Sequence, residues 1–173
     1  TAELGKKWDG VLGLKIKPYP CVSFLHPGLD ALIGLVRGED LRPGDIESLV
    51  MRFPRSGVHC IDDNPLRSHS AQYILPIAVA DRGLEVADIF VDRRLGDDEV
   101  AKLGKRVTVV ADDGEANARF PDYYATAIEV TTRDGRTFTR QGDVARGNRE
   151  APLSEDELLA KFTALASSVA APE

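Results

Sequence analysis

A chain of 173 residues, 43% hydrophobic and 29% charged, has the length and apolar content to bury one ordinary globular core. Its 28 acidic residues outnumber 22 basic ones, for a formal charge of −6. That balance repels phosphate backbones, and no basic stripe with interleaved aromatics offsets it, so nucleic acid is not an expected partner.

No apolar run reaches the length of a membrane span, and the first residues lack the basic-then-apolar plan of a secretory leader. A cytoplasmic protein with no membrane partner is therefore expected. Cys21 and Cys60 stand far apart in dissimilar contexts, which suits two reduced thiols better than a disulfide. Two thiols do not make up the four ligands of an iron–sulfur cluster. His26, His59 and His69 have no HExxH or CxxC companion. The expectation is chemistry without a metal or cofactor.

Along the chain, Val11–Lys17 (VLGLKIK) alternates at its end and predicts a strand. Pro18 and Pro20 stiffen the stretch through Tyr19. Pro27 suits the first turn of a helix, and Leu29, Leu32, Ile33 and Val36 then recur on one helical face up to Arg37-Gly38. Arg42–Asp45 reads as a turn and Ile46–Phe53 as a strand ended by Pro54. Residues 55–69 read as loop. Ser70 is placed to cap a helix over Ala71–Ala80, with Pro76 either kinking it or delaying its start. Val86–Phe90 and Asp97–Leu103 predict two short helices, and Arg106–Val110 a strand.

Near the end, Ala127–Thr132 and Arg136–Arg140 flank an Asp-Gly pair that predicts a hairpin. Ser154 and Glu157 form a capping box before the stripe Leu158, Leu159, Phe162 and Leu165. The order of elements gives an α+β fold over 1–173, a two-layer sandwich with helices on one mixed or antiparallel sheet.

Four segments resemble, in order, the smaller C-terminal domain of the MmgE/PrpD family. They are Lys17-Pro18-Tyr19-Pro20-Cys21 running to His26-Pro27, Ala71-Gln72-Tyr73-Ile74-Leu75, the Arg133-Asp134-Gly135-Arg136 turn, and Arg146-Gly147-Asn148 through Pro152-Leu153-Ser154 to Lys161-Phe162. The chain departs from the family pattern at Val22, Leu25, Ile74 and Ile77. The resemblance implies a partner domain, larger and all-helical, upstream of this one, with the active site in the cleft between them. It also implies chemistry like that of a 2-methylcitrate dehydratase, a cis-aconitate decarboxylase or an iminodisuccinate epimerase, in which a proton moves beside a carboxylate without a metal.

On that resemblance Lys17 and His26 are the candidate catalytic residues. A lysine before rigid Pro-Tyr-Pro offers a fixed positive charge to an enolate-like species; read without the resemblance, it is a strand-end lysine in water. A histidine just before a helix N-terminus can be held neutral and exchange a proton near pH 7, or can simply cap the helix or sit satisfied in the core. Tyr19, Gln72, Tyr73 and Arg67 are candidate substrate-binding residues, and His69 shares the Arg67 loop. Cys21 reads as a small buried hydrophobe.

The expected function is a dehydratase or related lyase of small hydroxy-carboxylates, active only with the helical domain. An isomerase or epimerase on the same scaffold, or a non-catalytic binding module, are the alternatives. A homodimer is expected, closing over an apolar patch near Tyr19 and Trp8.

Overall fold

A computed structural model describes residues 5–6, 13–91 and 93–167. Contacts divide the chain into two compact units, Tyr19–Val144 and a terminal unit made of Thr1–Pro18 with Ala145–Glu173.

The larger unit is built on a four-stranded sheet in the order β2-β1-β3-β4. The strands are β1 (Ile46–Pro54), β2 (Val107–Asp112), β3 (Thr126–Thr132) and β4 (Thr137–Gly142). β1 pairs parallel with β2 and antiparallel with β3, and β3 turns back into β4 through the Asp134-Gly135 turn. Gly135 takes the positive φ of 87° that such a turn requires. The parallel pair needs a long crossover, and the helices between β1 and β2 supply it. This is the expected α+β sandwich.

Alternation decides which face is covered. Leu49, Met51 and Phe53 of β1 and Ile128 and Val130 of β3 are fully buried, while Arg52 between them is exposed. Onto that face packs α1 (His26–Gly38). Leu25, just ahead of it, and Leu29, Leu32 and Val36 fall on one helical stripe with no exposed surface. Its first turn lies so close to the end of β4 that a side chain at Gly142 would run into the carbonyl of Pro27.

The second core helix, α2 (Ala71–Asp81), is capped by the Ser70 hydroxyl, which accepts from the Tyr73 amide at 3.3 Å. Pro76 sits inside it and cannot donate to the carbonyl of Gln72. That carbonyl faces Gly104, where a Cβ would stand 2.7 Å away. The helix therefore continues through the proline, and its neighbour approaches closely there only because it ends in glycine. Three short helices follow: α3 (Val86–Phe90), α4 (Asp98–Gly104) and α5 (Glu115–Ala118). The segment read as loop at 55–69 opens with a 3₁₀ turn, Arg55–Cys60.

In the terminal unit, the strand predicted over Val11–Lys17 does not form in its described part, residues 13–17. The N–H of Ile16 goes instead to the carbonyl of Gly147 at 2.8 Å, and Pro18 and Pro20 remove donors a ladder would use. The unit's helix α6 (Glu155–Ala166) has the predicted capping box, with Ser154 N donating to Glu157 at 2.8 Å and Glu157 N to the Ser154 hydroxyl at 3.2 Å. Among its described residues α6 buries no side chain; Leu159 and Phe162 are 64% and 68% exposed. No helix of the described residues is long and apolar enough to cross a membrane.

Candidate functional site

The stiff segment after Pro18 brings two predicted residues together. Tyr19 and His26 stand edge to face, ring centroids 5.5 Å apart and planes at 89°. Tyr19 is 8% exposed and His26 1%. Tyr19 itself therefore adds no exposed surface to the apolar patch expected near it and Trp8; its ring packs in the core of the unit, and Trp8 lies outside the described residues. His26 is the first residue of α1, as the Pro27 signal requires. Its burial fits the alternative of a core histidine at a helix start, since its imidazole is shielded from solvent.

The Tyr19 hydroxyl donates to Oδ1 of Asp30 at 2.7 Å. Asp30 was not among the residues the sequence pointed to. The signal was present, because His26 and Asp30 are four apart and share a helix face.

A second group of predicted residues gathers at the start of α2. The guanidinium of Arg67, itself exposed, lies 5.7 Å from the centre of the Tyr73 ring. Burial pushes the Tyr73 phenol above its ordinary range, with Arg67 opposing that shift. The Tyr73 hydroxyl donates to the carbonyl of Asp88 at 2.8 Å. Gln72 spends its amide on the preceding loop, donating to Asp62 at 2.7 Å and accepting from the Asp63 amide at 2.9 Å. Both side chains, read as substrate contacts, thus have internal partners.

The two groups are joined through backbone. The N–H of Val22, in the segment between Tyr19 and His26, donates to the carbonyl of Ser68 at 2.8 Å. Ser68 also holds the ring Nδ1 of His69 at 3.0 Å. So the segment leading into α1 and the loop leading into α2, which carries Arg67, are one hydrogen-bonded edge.

Gln72 and Tyr73 also line an open cleft of about 390 Å³, together with Arg94, Asp97 and Lys105. Arg94 is bound there by Asp81 and by Asp97, the latter at 2.8 Å.

Lys17 belongs to the terminal unit. Its side chain is exposed, and its carbonyl accepts from the Lys161 ammonium at 2.8 Å. Among the described residues no group of three or more His, Cys, Asp or Glu side chains is arranged to hold a metal ion.

Residues 19–173 match the family model described as the MmgE/PrpD C-terminal domain. Over 135 residues the chain is 30% identical to the cis-aconitate decarboxylase of Mus musculus. That alignment takes in 75% of this chain and 27% of the decarboxylase, so the chain spans about a quarter of the relative's length. With the match running through the α+β unit, the Tyr19–His26 segment and the capped last helix alike, the chain belongs to the MmgE/PrpD family, as its C-terminal domain.

Proposed function

We propose that this domain forms one wall of the active site of a lyase acting on small hydroxy-carboxylates, completed by an upstream helical domain. The carrying observation is the family match over residues 19–173. The reading is supported by two exposed cations near the segments that hold the family pattern, Lys17 and Arg67.

A di- or tricarboxylate substrate needs cations for its charges, and its reaction needs them more. When a base takes the proton beside a carboxylate, the carbon's electron pair spreads onto the carboxylate and a doubly negative, enolate-like group develops. An ammonium fixed beside that group stabilises the transition state more than the ground state. In dehydration the pair then returns to form the double bond, the C–O bond breaks, and the hydroxyl leaves as water with a proton from an acid. Lys17, in the terminal unit, and Arg67, in the larger one, are each candidates to bind a carboxylate. In this reading the acid and base would come from the upstream domain, and the buried His26 and Tyr19 are packing partners within this one.

A second reading is favoured by the relative named as a cis-aconitate decarboxylase. Decarboxylation would use the same cations: the C–C bond to one carboxylate breaks, carbon dioxide leaves, and the electron pair left on the remaining fragment takes up a proton from an acid. An epimerase would use them too, with reprotonation as the second step.

The test uses the complete polypeptide carrying this domain, incubated with small hydroxy-di- and hydroxy-tricarboxylates and with unsaturated tricarboxylates such as cis-aconitate in deuterated buffer, and followed by NMR. Dehydration gives loss of water and an alkene product. Decarboxylation gives carbon dioxide, and epimerisation gives deuterium at the substrate carbon with no loss of mass otherwise. Absence of all three across the substrate set leaves a non-catalytic binding module and overturns the reading. The 173-residue chain alone is expected to be inactive.

A further inference from the structure

We infer that Asp30 is a positioning residue of the wall proposed above, acting through Tyr19 to fix the edge that carries Arg67. The inference rests on that functional reading for its purpose, and on hydrogen bonds and ring geometry for its structure.

Three links make the connection, all within the larger unit. The carboxylate of Asp30 accepts from the Tyr19 hydroxyl at 2.7 Å, a charge-assisted bond and so among the stronger neutral-donor kinds. The Tyr19 ring, held at that end, stands edge-on against the His26 imidazole. Both rings are buried, so neither can turn without moving the core around it. The chain from Tyr19 to His26 is thereby pinned at both ends to α1, at Asp30 and at the helix's own first residue.

Between those pins, Val22 donates its N–H to the Ser68 carbonyl. The residue before Ser68 is Arg67, whose guanidinium lies over Tyr73. The loop, which also carries its own bonds such as His69 N–H to the Leu66 carbonyl at 2.8 Å, is tied at Ser68 to that pinned segment. A carboxylate-binding arginine gains from this because its fork must meet two oxygens at once, and a displaced fork meets only one.

Asp30 is suited to the task by spacing. Four residues after His26, it projects on the same side of α1 as the imidazole, which lets one tyrosine touch both. A neutral leucine there would fill the space and offer Tyr19 no acceptor. An asparagine would still present a carbonyl oxygen.

The experiment compares Asp30→Leu, Asp30→Asn and Tyr19→Phe in the full 173-residue chain by NMR, reading the His26 ring signals and the hydrogen-exchange protection of the Val22 amide. Asp30→Leu and Tyr19→Phe are expected to displace the His26 ring signals in the same sense and to lower Val22 protection by about tenfold. Asp30→Asn is expected to retain both near the parent. Should Asp30→Leu not fold, Tyr19→Phe decides, because it removes only the hydroxyl. Unchanged His26 signals and Val22 protection within about twofold of the parent in Tyr19→Phe overturn the inference, as does Asp30→Asn behaving like Asp30→Leu.

In the complete polypeptide, Tyr19→Phe is expected to raise KM more than it lowers kcat, the pattern of a lost binding geometry. An unchanged KM beside a tenfold loss of Val22 protection, about the size set above, overturns the functional purpose and leaves the three-link anchor as structure only. No turnover in the parent polypeptide is the separate failure of the lyase reading.

Discussion

The carboxylate of Asp88 has no exposed surface, and the Nε of Arg93 lies 2.9 Å from its Oδ1. The same carboxylate accepts the Glu85 amide at 2.7 Å, closing the first turn of α3. Arg93 reaches onward to Asp81 at 2.8 Å, so the end of α2 and the turn after α3 are joined through one guanidinium. Removing the cation strands a buried anion, so Arg93→Ala is expected to cost about 3 kcal/mol of stability. Lys102, which faces Asp98 at 3.8 Å with both side chains mostly exposed, is the control; Lys102→Ala is expected to cost under about 0.5 kcal/mol. Urea unfolding of the two variants measures the difference, and equal costs would contradict it.

Gly142 presses against the carbonyl of Pro27, a backbone atom that cannot swing aside as a side-chain tip could. Gly142→Ala is expected to cost about 1–3 kcal/mol through forced separation of β4 and α1. Gly38, with nothing within 4 Å of a built Cβ, is expected to accept alanine within about 0.5 kcal/mol. Thermal melting of both variants is the check.

Asp97 caps α4, and its carboxyl is held below its ordinary range, chiefly by the Val100 amide and, after burial opposes it, by Arg94. With the folded value depressed, the stabilisation is complete above the unfolded value of about 3.9 and fades as pH falls through the lower folded one. Protection of the Val100 amide against exchange is therefore expected to be level from about pH 7 to 5 and to fall below about pH 4. Asp97→Asn keeps an acceptor for the cap but has no charge to lose, and its acid-side fall should be smaller. An identical profile in the variant would remove Asp97 as the cause.

Lys17→Ala in the complete polypeptide is expected to lower turnover roughly a hundredfold or more, the cost of about 2.7–4 kcal/mol for losing one oriented charge at the transition state. Stability should change by under about 0.5 kcal/mol, since the side chain is exposed. Lys15→Ala, two residues earlier and equally exposed, is the control. Paired kcat and melting measurements decide, and matching rates in both variants and the parent would take Lys17 out of the site.

The elements that were legible in the sequence are those fixed by local chemistry. The Leu29–Val36 stripe, Pro27, the Asp134-Gly135 turn and the Ser154–Glu157 box each specify their structure within one or two turns, and each element formed. The failures required knowledge of distant partners. Val11–Lys17 had the period of a strand, yet the amide of Ile16 found Gly147, more than a hundred residues on. The four-residue α5 lacks room for a period and was not foreseen.

At the candidate site, residue types were readable but their obligations were not. Gln72 and Tyr73 look like free donors until Asp62 and Asp88 are placed beside them. Asp30 gained its meaning only when Tyr19 was brought to it. The family pattern pointed to the segments, and the partners of Gln72, Tyr73 and Asp30 became visible only through tertiary contacts.

The last helix of the chain, α6, is well capped yet leaves Leu159, Phe162 and Leu165 exposed. A helix of 12 residues has marginal helicity in water on propensity alone. Its folding equilibrium would therefore be coupled to any apolar surface that came to cover Leu159 and Phe162, and the coupling would be reciprocal. A covering surface that binds the formed helix raises its population, and each fraction of helix already formed tightens the binding by the same factor. The capping box favours the helical state beforehand, so Ser154 and Glu157 would lower the ordering cost of any such docking.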